Sequence, residues 1–377
     1  MSNIHPFYRR MLLSVLMVGV FTVKAQSSSH NIAADSLIFH DANEFTIIGK
    51  FHNEKSYHRF PQRYKGVLRD QVWEESLCSA GIAIRFRTNA TQIVVRWSLS
   101  EVDPLSKKAG PIGTDGVDLY AYIAAGWQYI NSGKPKNKTT EFILLRKGDG
   151  AYKEYLLNLP LFNGVDSLAI GVNATAEIAR PAGKYLIEKK PVIYYGSSIT
   201  QGAAASRPGM AYTNILSRKL DVPFINFGFN GEGKFDLSVA SAMSEVDASL
   251  YIVDCTPNSK KEIICDSAVK VVRLLKAKRP LIPVLLVEGY YYADSYFNEN
   301  GLANIDDKRR ELRKAFAQLK ASGIKGIYYK IGDGLIGDDH EATADGVHPN
   351  DVGMLRFSEQ MLPVIKSILT QKTNGND

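Results

Sequence analysis

Between residues 81 and 99 the apolar side chains fall on every second position. Ile82, Ile84 and Phe86 share one face of an extended chain, Ala83, Arg85 and Arg87 take the other, and Ile93, Val95, Trp97 and Leu99 repeat the pattern. A period of two puts alternate side chains on opposite faces of a strand, so both runs read as half-buried strands. Asp118-Leu-Tyr-Ala-Tyr-Ile, Glu141-Phe-Ile-Leu-Leu and Ser167-Leu-Ala-Ile-Gly-Val extend the series, with turn-forming Lys147-Gly-Asp-Gly and Asn163-Gly between them. An all-β sandwich over residues 38–186 is the architecture this predicts.

From residue 192 the pattern changes to short apolar runs alternating with longer amphipathic stretches. Strands are predicted at residues 192–195, 224–227, 250–255, 283–287 and 326–329. Between the last two, residues 305–321 place Ile305, Leu312, Phe316 and Leu319 on one face of a helix, with Lys308, Arg310, Arg313 and Lys320 mostly elsewhere. Strand and helix in alternation imply βαβ units, hence a parallel sheet with helices on both sides, over residues 190–371. The boundary between the two parts is expected in the charged stretch 184–190.

Open α/β sheets bind ligands beyond the carboxyl ends of their strands. The first predicted strand breaks there, at Gly196, into Ser197-Ser198-Ile199-Thr200, a turn that lifts a serine hydroxyl into the crevice ahead of a helix whose N–H groups and positive dipole end face the same place. Such a serine suits a nucleophile. The stretch is neither Gly-x-Ser-x-Gly, because Thr200 stands two after Ser198, nor a phosphate loop, because no Gly-Lys-Ser/Thr follows. The second strand runs into Asn226-Phe-Gly228-Phe-Asn-Gly231-Glu-Gly233, where glycines let the backbone approach a substrate. The third ends in Asp254-Cys-Thr-Pro-Asn258, whose amide can donate to a developing oxyanion. Before the C-terminal helix, Asp345-Gly-Val-His348 places a carboxylate within reach of a ring nitrogen, as a general base requires. Taken singly, each has a plain structural reading: glycine turns, a turn asparagine, and a solvent-exposed loop histidine among seven.

Taken in order, Ser, Gly, Asn and then Asp-x-x-His, the four segments resemble the SGNH (GDSL-type) hydrolases over roughly residues 190–370, and Gly116-Val-Asp118-Leu-Tyr120 resembles the GxDLY β-domain that precedes one bacterial branch of these esterases. The resemblance implies a flavodoxin-like, three-layer αβα esterase domain behind the sandwich. It makes Ser198 the nucleophile, His348 the base and Asp345 its orienter, with the Ser198 N–H, the Gly231 N–H and the Asn258 amide as the oxyanion hole. Two positions depart from the family pattern. Gly196-Ser197-Ser198 replaces Gly-Asp-Ser, which leaves Ser197 as a rival nucleophile, and Ser259 replaces the acid after the asparagine.

Charge and cysteine content narrow the class of protein. Arg9 and Arg10 ahead of the apolar run 11–23, with Val23-Lys24-Ala25 after it, fit a secretory signal over residues 1–25. Its removal takes Arg9, Arg10 and Lys24 and no acid, so the formal charge falls from +7 to +4. Basic and acidic residues are interspersed, which argues against nucleic-acid binding, and no later apolar run reaches the length of a membrane span. Cys78, Cys255 and Cys265 are too few, and too irregularly spaced, for a disulfide framework or a metal site. One bridge stays open, with Cys255 read as a small core residue. His340 and His348 lack zincin spacing, so neither a metal nor any other cofactor is expected.

The reading is therefore a secreted or periplasmic serine esterase acting through an acyl-enzyme, with an acetylated carbohydrate as the expected substrate. Arg207 and the tyrosines of Tyr290-Tyr291-Tyr292 are candidate substrate contacts, with a surface cap and loop packing as the respective alternatives. The rivals are a lipase or thioesterase, which needs an apolar channel, and a catalytically silent carbohydrate-binding protein, which needs no intact Ser, Asn, Asp and His set. Oligomeric state is left open.

Overall fold

The computed structural model describes residues 36–100 and 110–373; the predicted signal segment lies outside them. Its first part is built from antiparallel strands β1 (Leu37–Asp41), β2 (Thr46–Ile48), β3 (Ala83–Thr88), β4 (Ile93–Leu99), β5 (Val117–Ile123), β6 (Gly126–Gly133), β7 (Thr139–Leu145), β8 (Lys153–Asn158), β9 (Val165–Asn173) and β10 (Ile178–Ala179). One sheet has the order β1-β9-β4-β7. The other runs β10-β3-β8-β5-β6, with β2 also on β3. Ile84 and Phe86 of β3, Val117 and Leu119 of β5 and Leu157 of β8 meet Ile93, Val95 and Trp97 of β4 and Ile170 and Val172 of β9 in one core. Two facing sheets that share a core are the expected sandwich.

The alternation was legible, but its second face was not. Ala83 and Arg85 are buried too, because the outer face of the second sheet is covered: Ala83, Tyr120 and Leu156 pack with Leu186 of the connecting stretch. The Gly116–Tyr120 motif straddles this arrangement, since period two sends Leu119 into the sandwich core and Asp118 and Tyr120 to the covered face.

The second part is a five-stranded parallel sheet of β11 (Val192–Gly196), β12 (Phe224–Gly228), β13 (Leu250–Asp254), β14 (Val284–Val287) and β15 (Ile327–Lys330), in the order β12-β11-β13-β14-β15. All five lie within a residue or so of their predicted places. Because every strand is buried on both faces, Ile193 and Tyr195 of β11 enter one core while Val192 and Tyr194 enter the other. Two short helices, α1 (Asp70–Ser76) and α2 (Pro111–Asp115), precede this sheet, and α3 (Ser198–Gln201) follows β11. Helices α5 (Leu237–Glu245), α6 (Lys261–Lys278) and α7 (Glu299–Ala321) cover one face of the sheet, and α4 (Tyr212–Leu220) and α8 (Asp351–Thr373) cover the other. Helix α7 starts six residues before the predicted stretch, and Ile305, Leu312 and Leu319 are its buried stripe. Phe60, Tyr64, Leu68 and Val72, which lie between β2 and β3 in sequence, join the core on the α5–α7 side. All three cysteines are free, and Cys255 is a fully buried member of that same core.

The strand order reverses direction between β11 and β13, so the crevice lies at the carboxyl ends of these two strands. That is where Ser198 and Asn258 fall.

Candidate active site

Ser198 begins α3, which spans only four residues before Gly202 ends it at a φ of 114°. The helix expected after the serine is thus a single turn, too short to sum much of a dipole. Ser197 is its N-cap, with a hydroxyl that accepts from the Ile199 N–H at 3.3 Å. The Ser198 hydroxyl points the other way and lies 2.9 Å from His348 Nε2. His348 Nδ1 is 2.7 Å from Asp345 Oδ2, while Asp345 Oδ1 accepts from the N–H groups of His348 at 2.7 Å and Val347 at 3.1 Å. Burial alone would push Asp345 up; these N–H groups and the imidazole together hold it below the usual carboxylate value. A carboxylate kept ionised against Nδ1 places the ring proton there, leaving Nε2 free to accept from Ser198.

The opposite wall is made by two loops. Gly228 ends β12 where a Cβ would stand 2.2 Å from the Gln201 backbone nitrogen, so only glycine lets this strand pass under the Ser198 turn. Phe229 to Glu232 then form a turn with a Glu232 N–H to Phe229 carbonyl bond of 3.0 Å, and Gly231 takes a φ of 72° within it. Asn258 Oδ1 accepts from the Gly233 N–H at 3.3 Å, which leaves the amide NH₂ available as a donor. Ser259, at the position where the family has an acid, donates instead to the Cys255 carbonyl at 2.8 Å and closes the turn. A serine, a histidine backed by a carboxylate, and N–H donors on the facing loops are the parts that acyl transfer through a serine requires.

The sequence left Arg207 and the tyrosines open between substrate contact and, respectively, a surface cap and loop packing, and the structure gives each of them partners within the protein. Arg207 Nη1 donates to Asp118 Oδ2 at 2.8 Å and Tyr120 OH at 2.5 Å, and its guanidinium lies 3.8 Å above the Tyr129 ring. Asp118 also accepts from the Gly209 N–H and from Asn158 Nδ2, each at 2.7 Å. Arg207 is therefore the joint between sandwich and parallel sheet, with the GxDLY-like motif as its socket. Tyr290 is buried and its hydroxyl donates to the Val347 carbonyl, which braces the histidine loop. Tyr291 stacks on Arg309 at 3.9 Å and donates to Asp306, and Tyr292 packs edge-on against Tyr290 with ring centres 5.9 Å apart. Tyr296, of the same aromatic segment, and His340 line a cavity of about 190 Å³ with Tyr291, Asp338 and Thr343. Ser198 is not among its lining residues, but Ala293 on its rim donates to the Gly346 carbonyl at 2.8 Å, so the cavity adjoins the Asp345–His348 loop.

Beneath the site, Asp254 ends β13 with 4% exposure, and burial pushes its carboxyl up to about 7 against the hydrogen bond from Tyr194 at 3.4 Å. The folded state thus keeps a proton that the unfolded chain has lost above ~4. This contribution to stability is full below that value and disappears as pH rises through about 7. Denaturant unfolding at pH 5 and pH 8 is expected to show a fall in wild-type stability that Asp254→Asn lacks; equal falls in both proteins would refute the assignment.

These features fit an ester-hydrolysing enzyme of the α/β class. The chain belongs to the GDSL-like lipase/acylhydrolase family, whose model matches residues 189–366, and residues 37–178 match the GxDLY N-terminus of SGNH-hydrolase-type esterases. A Bacteroides ovatus protein described as a GDSL-like lipase is 33% identical, covers 89% of this chain and 98% of its own, and superposes with a TM-score of 0.84. Salicylyl-acyltransferase SsfX3 from a tetracycline biosynthetic pathway shares the fold at 17% identity (88% and 97% covered, TM-score 0.72). So does a family two carbohydrate esterase from Cellvibrio japonicus, at 13% identity (89% and 98% covered, TM-score 0.58). No curated protein matches the sequence. Among the described residues no helix is long and apolar enough to cross a membrane.

Proposed function

We propose that this protein is a secreted carbohydrate O-acetylesterase, made as a leader of residues 1–25, a sandwich over 38–186 and a catalytic part over 190–371. The observation that carries the chemistry is the 2.9 Å contact of Ser198 Oγ with His348 Nε2, with Asp345 behind the ring. Ser198 Oγ attacks the ester carbonyl as its proton passes to His348 Nε2. The N–H groups of Ser198 and Gly231 and the Asn258 amide stabilise the oxyanion. His348 then returns the proton to the departing sugar oxygen, and a water activated by the same nitrogen releases the acid from Ser198. No step calls for a cofactor.

Support for a sugar comes from the cavity beside the histidine loop. At about 190 Å³ it is smaller than the ~300–1,000 Å³ that holds a drug-sized ligand, and ring faces with nearby carboxylates suit a single pyranose better than an extended acyl chain. Tyr296, which lines this cavity, is 54% exposed and so is open to a polymer. Acetate is expected from an acetylated polysaccharide, nitrophenyl acetate should be turned over faster than the butyrate or octanoate, and Tyr296→Ala should raise KM about 10-fold for polymer while leaving nitrophenyl acetate unchanged. Octanoyl preference with no acetate from any glycan would move the protein to the lipase reading.

A further inference from the structure

Two side chains from the N-terminal part, Arg59 and Glu75, lie against the segments that flank Ser198. Arg59 is 1% exposed, and its guanidinium donates to backbone carbonyls: Nε to Cys78 at 3.1 Å, Nη1 to Asn226 at 3.3 Å and to Gly228, and Nη2 to Glu75. Asn226 and Gly228 close β12, from which the Gly231 loop springs, and the ring of Phe229 lies 5.0 Å from the same guanidinium. Burying a guanidinium is unfavourable unless every donor finds an acceptor, so the site is built around this residue. Glu75, in the last turn of α1, is half-buried; burial pushes its carboxyl up, and Arg59, Gln201 and Asn230 beside it offset part of that rise. Gln201 is the last residue of α3, three after Ser198, and Asn230 is next to Gly231. Gln201 completes the link: its Oε1 accepts from the Asn230 N–H at 2.9 Å and its Nε2 donates to the Leu161 carbonyl at 3.1 Å.

We infer that Glu75 and Arg59 are positioning residues of the catalytic site, which set the separation between the Ser198 turn and the Gly231 loop. The N-terminal part then completes the oxyanion side of the site rather than serving only as a surface for substrate. This rests on Ser198 as nucleophile and Gly231 as oxyanion donor. Neither Glu75 nor Arg59 is assigned a contact with substrate. Donors displaced by a fraction of an ångström lose transition-state stabilisation while ground-state binding survives, so the effect belongs in kcat and not in KM.

The test uses the whole mature chain and nitrophenyl acetate. Glu75→Ala should fold, lower kcat about 10–100-fold and leave KM within about twofold. Glu75→Gln, which keeps an acceptor oxygen, should recover most of that loss. Asn230→Ala should give a similar kcat loss, and the double variant should lose little more than either alone. Arg59→Lys, too short to reach the same carbonyls, should also lower kcat at constant KM. Should Glu75→Ala or Arg59→Lys fail to fold, Glu75→Gln with Asn230→Ala decides by the same non-additivity. Wild-type kcat in Glu75→Ala, a change confined to KM, or strictly multiplicative losses with Asn230→Ala would overturn the inference. Ser198→Ala separates the two levels. If it is inactive while Glu75→Ala is unaffected, only the positioning role fails; if it still turns over, the nucleophile assignment fails.

Discussion

Ser198→Ala is expected to lower kcat for ester hydrolysis by about 10⁴–10⁶-fold without changing the melting temperature, because loss of one triad member removes the covalent path and leaves only binding and the oxyanion donors. Among the described residues the hydrogen-bond partner of the Ser198 hydroxyl is His348 and not a backbone group, so its removal should leave the fold as it is. Ser197→Ala should behave oppositely. Its hydroxyl caps α3 through the Ile199 N–H, so the variant should lose about 1 kcal/mol of stability and retain most of its turnover. Paired kinetics and thermal melts on the two variants decide the matter. An inactive Ser197 variant beside an active Ser198 variant would reverse the assignment.

His348→Ala should reduce turnover as severely as Ser198→Ala, since among the described residues His348 is the ring hydrogen-bonded to Ser198 Oγ. Asp345→Asn should lower kcat by up to about 10⁴-fold, because an amide at Oδ2 can donate to Nδ1 and so favours the tautomer whose proton sits on Nε2. The same residue accepts from the N–H groups of Val347 and His348, so Asp345→Ala should also loosen the loop and lower the melting temperature, whereas Asn keeps an acceptor there. His340 shares a cavity with Tyr296 and has no contact with Ser198, so His340→Ala should leave nitrophenyl acetate turnover near wild type. Activity that survives in His348→Ala and disappears in His340→Ala would refute the triad.

How much was legible follows from how local each cause is. Alternation at Ile82–Phe86 and Ile93–Leu99, and the apolar runs from Val192 onward, fixed strand positions because side-chain period is a property of the backbone itself. Strand ends were equally readable, and with them the stretches that hold Ser198, Gly231 and Asn258, because glycine, serine and asparagine mark where a ladder stops; Gly231 was singled out among its neighbouring glycines only by the family resemblance. Asp345 and His348 were paired from spacing alone, as a contact three residues apart in one loop is local.

Tertiary structure decided everything that depended on a partner distant in sequence. Ser197 and Ser198 are chemically equal in the chain; the imidazole that lies against Ser198 comes from a loop 150 residues later. Arg207 stood open between a substrate contact and a surface cap, and Tyr290 between a sugar platform and loop packing; the partners Asp118 and Tyr120 for the one and the Val347 carbonyl for the other come from segments far away in the chain. Arg59 and Glu75 carried no signal at all, because a buried arginine or glutamate differs from a surface one only in what surrounds it. Desolvation makes such groups depend on acceptors and donors supplied by remote segments, and the pairing exists only once the sandwich is seated against the parallel sheet.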